Sequence, residues 1–530
     1  MSSKKIAKQK KVYNSGYIGY SIDLFAVMIL SLFPLFFIDR YYNILQAKYY
    51  FYIASVVLMV VVLLITVLIK HDCLESYFSN FQWDFFLKKF TVTDIALLLF
   101  LSVAIISTIS SDYVYESFWG NEGRYSGLFL LTLYACAYFL VTRFGKLKKW
   151  YLDLFLISGM LICLFGISDY FKMDLLHFKV GMREDQRFMF TSTIGNINTY
   201  TAFVGMVTAV SAVLFATEKD KRKEIFYLIS LVISFFAIIM GISDNAYLSI
   251  AALLGLLPLY LFYTRTGAKR YLIIVASFFT VLKCISWINI TFPEHVYGID
   301  GAFNMIAYHD GLLLIIIGLW LIIALWYAAD HLWKSDCEIM GNKLQIIWLI
   351  LLILVILSVG YAFIDANING NYERYGALGG YLVFNDEWGT HRGYIWRNAI
   401  ECFKEFSPLK KIFGYGPDTF GILLLDKTAG NSYGEIYDNA HNEYIHYLIT
   451  VGIAGLSAYL VYIISYVIRC VKKGSKNPCV IAAMMAVVCY SVQAFVNLNL
   501  PIATPVMWAF LSLGMLGTRE NSSSLEKVGK

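Results

Sequence analysis

The sequence predicts an all-α membrane protein: a polytopic helical bundle of about 12–14 transmembrane helices, with a large outer loop containing short interfacial helices. Three observations predict it. The 530 residues are 59% hydrophobic and 15% charged, more apolar than a soluble domain of that length. Apolar stretches long enough to cross ~30 Å of hydrocarbon as a helix recur from Ile22 to Leu516. Runs such as "FYIASVVLMVVVLLITVLI" show none of the alternation that a membrane β-barrel requires.

Taken in order, the expected spans begin near Ile22, Tyr50, Thr93, Gly127, Leu152, Asn196, Ile225, Tyr247, Tyr271, Gly311, Leu344, Tyr447, Cys479 and Ile502. The basic segments "KKIAKQKK", "RFGKLKKW", "KDKRK", "TRTGAKR", "RCVKKGSK" and the C-terminal tail then fall on one side. By the positive-inside rule that side is cytoplasmic, so both termini are expected there, in a multi-pass cell-membrane protein. The net charge of +6 suits an anionic inner leaflet; no concentrated soluble basic face points to nucleic acid. Nine cysteines, most in spans or cytoplasmic loops and with no CxxC pair, exclude a disulfide framework and a thiolate metal site. The first apolar run is long and followed by more, so it reads as an uncleaved first helix.

Four regions follow: 1–195, the first helices and a first outer loop; 196–364, central helices; 365–446, a large extracytoplasmic loop; and 447–530, the last helices and a cytoplasmic tail. Two outer segments are long, "FKMDLLHFKVGMREDQRFMFTSTIG" (171–195) and residues 365–446. Loops of that length are functional or disordered, and the Trp, Tyr and turn residues of the second favour order. Both carry positive charge against the inside bias, which suits an anionic ligand. Within the second, "HRGYIWRNAIECFKEF" (391–406) sets Ile395, Ala399, Cys402 and Phe406 at helical spacing and reads as an interfacial amphipathic helix. Pro408, Gly414, Gly416 and Pro417 mark tight turns after it.

The stretch "DNAHNEYIHYL" (438–448) invites a metal reading. A zinc protease needs H-E-x-x-H, with both histidines on one helical face. Here they are five apart, about 140° around a helix, and cannot share an ion without distortion. His446 reads as an ordinary bundle histidine and His441 as a base at the membrane surface, able to take a proton from an acceptor hydroxyl. Asp438 or Asn439 is expected to cap the helix that continues into the membrane. Arg392 and Arg397 offer planar forks suited to phosphate oxygens, or anchors at lipid headgroups.

In order along the chain, "TSTIGNINTYTAF", "RGYIWRNAIECFKEFSPLKKIFGYGPDTF", "AHNEYIHYLITVGIAGLSAYL" and "VQAFVNLNLPIATPVMWAFLSLG" resemble segments of the O-antigen ligases and O-antigen polymerases. The resemblance covers the chain from about Thr191 to its end. It implies transfer of a glycan from undecaprenyl diphosphate to an acceptor hydroxyl at the outer face of the cytoplasmic membrane, in surface polysaccharide biosynthesis, without cofactor or metal. The partners implied are a polyprenyl-diphosphate-linked glycan donor, a glycan or envelope acceptor, and the bilayer. It implies His441 as the base or acceptor-positioning residue and Arg392 as a diphosphate ligand, with Asn442, Asn196 and Asn198 in the matching motifs. Where such proteins often carry Ser-Arg-Gly, "GISDNAYLS" has Asp244 and Asn245, so a second diphosphate contact is sought from Arg397, Arg187 or Arg124. The alternative class is a transporter or lipid-linked-sugar flippase, for which Lys283, Asp94 and Asp153 are the intramembrane candidates.

Overall fold

A computed structural model gives the structure, which describes residues 19–69, 90–333 and 338–528. The basic tail "KKIAKQKK" lies outside the described residues. Among the described residues eleven long helices precede the long segment: α1 (Gly19–Leu35), α2 (Ile44–Ile69), α3 (Val92–Ile109), α4 (Leu128–Phe144), α5 (Lys149–Tyr170), α6 (Ile197–Thr217), α7 (Lys221–Met240), α8 (Asn245–Leu261), α9 (Arg265–Thr291), α10 (Leu312–Trp333) and α11 (Lys343–Ile368). The long segment carries α12 (Trp388–Glu405), and the chain closes with α13 (Glu443–Thr450), α14 (Gly452–Gly474), α15 (Pro478–Gln493) and α16 (Thr504–Val528). Among the described residues ten helices are long and apolar enough to cross a membrane, and α1, α4 and α8 are shorter apolar helices. The chain is an all-α, multi-pass membrane bundle.

The expected spans fall on these helices, with one correction. The span expected from Tyr447 begins at Gly452, because α13 ends at Thr450 and Gly452 adopts φ +69°. A Cβ there would strike the Ile412 carbonyl, so only glycine permits the break. The cap also differs. Asn442, rather than Asp438 or Asn439, accepts the Tyr444 and Ile445 N–H groups at 2.9 and 3.0 Å.

The core centres on α6, which is buried along its whole apolar window. Its small residues allow this: a Cβ on Gly205 would collide with Ser249 Oγ of α8, and Gly159 of α5 receives Val207. At the other extreme α11 has no buried residue in its apolar window, which a helix tolerates in hydrocarbon because its backbone bonds are internal. Ion pairs gather at the bundle end away from the long segment. Asp94 closes a capping box with Thr91 and binds Arg143 and Arg519; Asp153 meets Lys223 and Tyr227.

The long segment folds on a core of its own. Ile395, Trp396, Ala399 and Cys402 of α12 pack with Phe420, Tyr437, Ala440 and Ile449. Its helix starts at Trp388, three residues before the expected position, with Gly389, Thr390 and His391 all in the left-handed region. The first loop ends in a hairpin, β1 (Phe190–Thr191) against β2 (Gly195–Asn196). Its tip is buried, with Asp169 accepting the Ser192 N–H at 2.7 Å.

Candidate active site

The Gly-Tyr-Gly-Pro-Asp turn (414–418) is the hub of the site. Tyr415 and Gly416 donate their N–H groups to the carbonyls of Ile449 (3.2 Å) and Thr450 (2.8 Å), which the break after α13 leaves without helical partners. Gly414 and Gly416 adopt φ +75° and +119°. A Cβ on the first would meet the Thr450 carbonyl, and on the second Ser117 Oγ. The turn is thereby wedged between the α13–α14 break and the loop that follows α3.

His441 lies in the loop that leads into α13. Its backbone is left-handed (φ +45°), with its N–H donated to Asn439 Oδ1 at 2.8 Å. Such a conformation in a non-glycine residue costs of order 1–3 kcal/mol and persists only where its surroundings fix it. Nδ1 is enclosed without a hydrogen-bond partner among the described residues, as is Asn442 Nδ2. Burial, with Arg392 and Arg124 beside it, pushes the imidazole down to about 3, so it is neutral at physiological pH. His446 instead faces the interior, buried and stacked on Phe420 at 5.6 Å.

The four arginines separate by partner. Arg392, at the start of α12 after the left-handed residues, has no ion-pair or hydrogen-bond partner among the described residues; burial lowers its pKa, and Asp244 is the acid that acts against this. Arg124 reaches across to Asp438 with both edges of its fork, Nε to Oδ2 at 3.0 Å. Arg397 is engaged by Asp386 (2.9 and 2.7 Å) and Glu401 (3.5 Å) on an exposed face. Arg187 lies in the first loop, its Nε on the Met182 carbonyl at 3.3 Å. The structure therefore brings His441, Asn442, Arg392 and Arg124 together and leaves Arg397 and Arg187 outside that group. Asn196 caps α6. Asn198 accepts Ser243 Oγ at 2.7 Å, and its carbonyl accepts Gln493 and Asn497; this braces the segment that carries Asp244.

Sequence reasoning passed over Glu443, Asp418 and the Asn497–Asn499 pair. Glu443 is buried, accepts Tyr459 Oη at 2.7 Å and Asn499 Nδ2 at 3.4 Å, and burial raises its carboxyl to about 7. The signal available was an acid inside an otherwise apolar helix start, and "NLN" ahead of the proline at 501.

Beside the group runs an apolar groove of about 480 Å³, lined by Leu248 of α8, Tyr444 of α13, Ile463 of α14, and Val488, Ser491 and Phe495. Tyr444 is three residues from His441. Phe495 touches the ring of Trp396, one helical turn from Arg392, at 5.6 Å. The groove is therefore linked to the charged group through Tyr444 and the Phe495–Trp396 contact, and it is lined by residues of α8, α13, α14 and α15.

Residues 303–460 match the family model Wzy_C, described as O-antigen ligase. That stretch holds Arg392, Arg397, His441 and Asn442, while Arg124, Arg187, Asn196 and Asn198 precede it. No curated protein matches the chain. The match spans two of the four resembling motifs, those that hold Arg392 and His441, and over that stretch the chain is similar to the O-antigen ligase family.

Proposed function

We propose that the protein is a membrane glycosyltransferase that moves a glycan from undecaprenyl diphosphate to an acceptor hydroxyl at the outer face of the cytoplasmic membrane. The observation that carries this reading is Arg392: a guanidinium with no carboxylate bound among the described residues, set beside His441, with an apolar groove on the adjoining helices. A cation left unpaired in a half-buried site is costly unless a ligand supplies the anion. A diphosphate on a polyprenyl tail supplies both the charge and the apolar chain.

In this reading the acceptor oxygen attacks the anomeric carbon as the bond from that carbon to the diphosphate breaks. The acceptor proton passes to His441 Nε2, the ring nitrogen that is not enclosed. The leaving diphosphate keeps the electron pair; the fixed charge of Arg392 meets the anion as it develops, and Arg124 holds the diphosphate equally before and during transfer. Burial is the main cause that holds the imidazole low; the same anion offsets the smaller contribution of Arg392 and Arg124, so donor binding raises the basicity of His441. Asp94 and Asp153, the acids a transporter path would use, are committed to ion pairs at the far end of the bundle.

The test is the profile of lipid-linked glycans in the source cell carrying His441→Ala at wild-type protein level. Single repeats that accumulate as polymer disappears identify a polymerase, the outcome we favour, whereas long lipid-linked chains with no transfer identify a ligase. An unchanged profile removes His441 from the chemistry.

A further inference from the structure

Asp418 is 3% exposed, left-handed (φ +63°) and without an ion-pair partner within 4 Å among the described residues. Its hydrogen bonds all go to one place. Oδ2 accepts the backbone N–H groups of Asn121 (2.7 Å) and Ser126 (3.2 Å), Oδ1 accepts Ser126 Oγ (2.8 Å), and its carbonyl accepts Asn121 Nδ2 (2.5 Å). The loop 120–127 is thus folded around this carboxylate. Asn121 in turn accepts the N–H groups of Arg124 and Tyr125 at 3.0 Å, which fixes the backbone from which Arg124 departs.

The other partner of Arg124 is referenced to the same turn. Gly421, three residues after Asp418, lies so close to Asp438 that a Cβ there would stand 2.9 Å from the Asp438 carbonyl. Arg124 and Asp438 therefore meet because residues 418–421 hold one of them from each side. Burial raises the Asp418 carboxyl to about 6 even though the Ser126 and Asn121 hydrogen bonds and the more distant Arg124 charge pull it down, which makes it an expensive way to close a turn. A buried charge retained at such cost points to what it holds in place.

We propose that Asp418 is the positioning residue that aims the Arg124 guanidinium at the ligand seat beside His441. The inference rests on the diphosphate reading above and adds to it the element that sets the second cationic contact, at the site where Asp244 stands in place of an arginine. In the ligand-free protein Asp438 occupies that guanidinium; a diphosphate displaces it.

The experiment uses the full chain in lipid nanodiscs, with undecaprenyl diphosphate as the binding probe and a lipid-linked glycan as the donor for kinetics. The variants are Asp418→Ala, Arg124→Ala and the double substitution. Asp418→Asn accompanies them: it keeps the side-chain volume and removes the charge, with its amide oxygen left to accept the Asn121 and Ser126 N–H groups and its NH2 donated to Ser126 Oγ, and if the alanine variant does not fold it serves with the same direction of change and a smaller size. The expected result has three parts. Hydrogen exchange rises in 120–127 while α13 stays protected; the Kd and donor KM rise about 10- to 100-fold, as for a lost charged hydrogen bond; and kcat changes little. The double variant is no worse than Arg124→Ala alone, because Asp418 acts through Arg124. Multiplying losses in the double variant, or an unchanged exchange pattern, overturn the inference. Binding that ignores both residues overturns this inference alone, and a wild-type protein that does not bind the lipid overturns the diphosphate reading and this assignment with it.

Discussion

The Trp396 indole donates its N–H to the carbonyl of Ala440 at 2.8 Å, and Ala440 directly precedes His441. The helix that carries Arg392 is thereby fixed to the loop that carries His441, by one bond within a buried apolar cluster. Trp396→Phe keeps the ring and removes the donor, leaving a buried carbonyl unsatisfied at a cost of roughly 1–3 kcal/mol. The expected result is a lower kcat with a small drop in melting temperature. Trp396→Ala also creates a cavity and lowers stability by about 3–5 kcal/mol, measured by thermal unfolding in detergent.

Arg392 and Arg397 lie five residues apart on one helix and differ in their partners. Arg392→Ala is expected to reduce kcat/KM for the lipid-linked donor by at least about 100-fold, and Arg392→Lys to recover little of it, since an ammonium lacks the planar fork. Arg397→Ala removes an exposed pair with Asp386 and Glu401, worth about 0–1 kcal/mol. Its kinetics should stay within about threefold of wild type. Equal losses for the two would remove the distinction drawn between them.

Glu443 gives the fold a pH dependence of defined sign. Its carboxyl is raised from 4.5 to about 7 by burial. Below pH 4.5 it is protonated in both folded and unfolded chains and costs nothing. As the pH rises from 4.5 to 7 the unfolded chain ionises first, so stability falls across that window, by on the order of 3 kcal/mol. Glu443→Gln, which keeps an acceptor for Tyr459, should melt higher than wild type at pH 8 and match it near pH 4.5. A wild-type melting curve that is flat between those values would count against the buried acid.

The groove supplies a test of the lipid tail. Val488→Trp and Ser491→Trp fill space that Leu248, Tyr444 and Ile463 leave open. Donor KM should rise for the long undecaprenyl chain and stay near wild type for a short-chain prenyl diphosphate, which reaches the arginines without entering the groove. A uniform loss for both would mean that the groove does not hold the tail.

Much of this was legible in the chain. Hydrophobic length alone set the helical membrane fold, because a segment in hydrocarbon must satisfy its backbone internally and only a helix does so within one segment. The turn residues of 408–417, the amphipathic spacing of 391–406 and the His441 stretch pointed to the long segment as the place of the candidate site. Residue type and spacing did not separate Arg392 from Arg397, which only the family resemblance distinguished, and nothing in the sequence separated Arg124 from Arg187. An arginine's availability depends on whether a carboxylate lies within a few ångströms, and Asp386 and Asp438 reach their partners across 11 and 314 residues of chain. Nor could periodicity show that Gly452 breaks the helix after His441, since that break exists only because the 414–418 turn comes back to fill it. Local pattern and burial of apolar area fix the elements. The pairing of charges, and with it the availability of a cation for an anionic ligand, is a property of the packed structure alone.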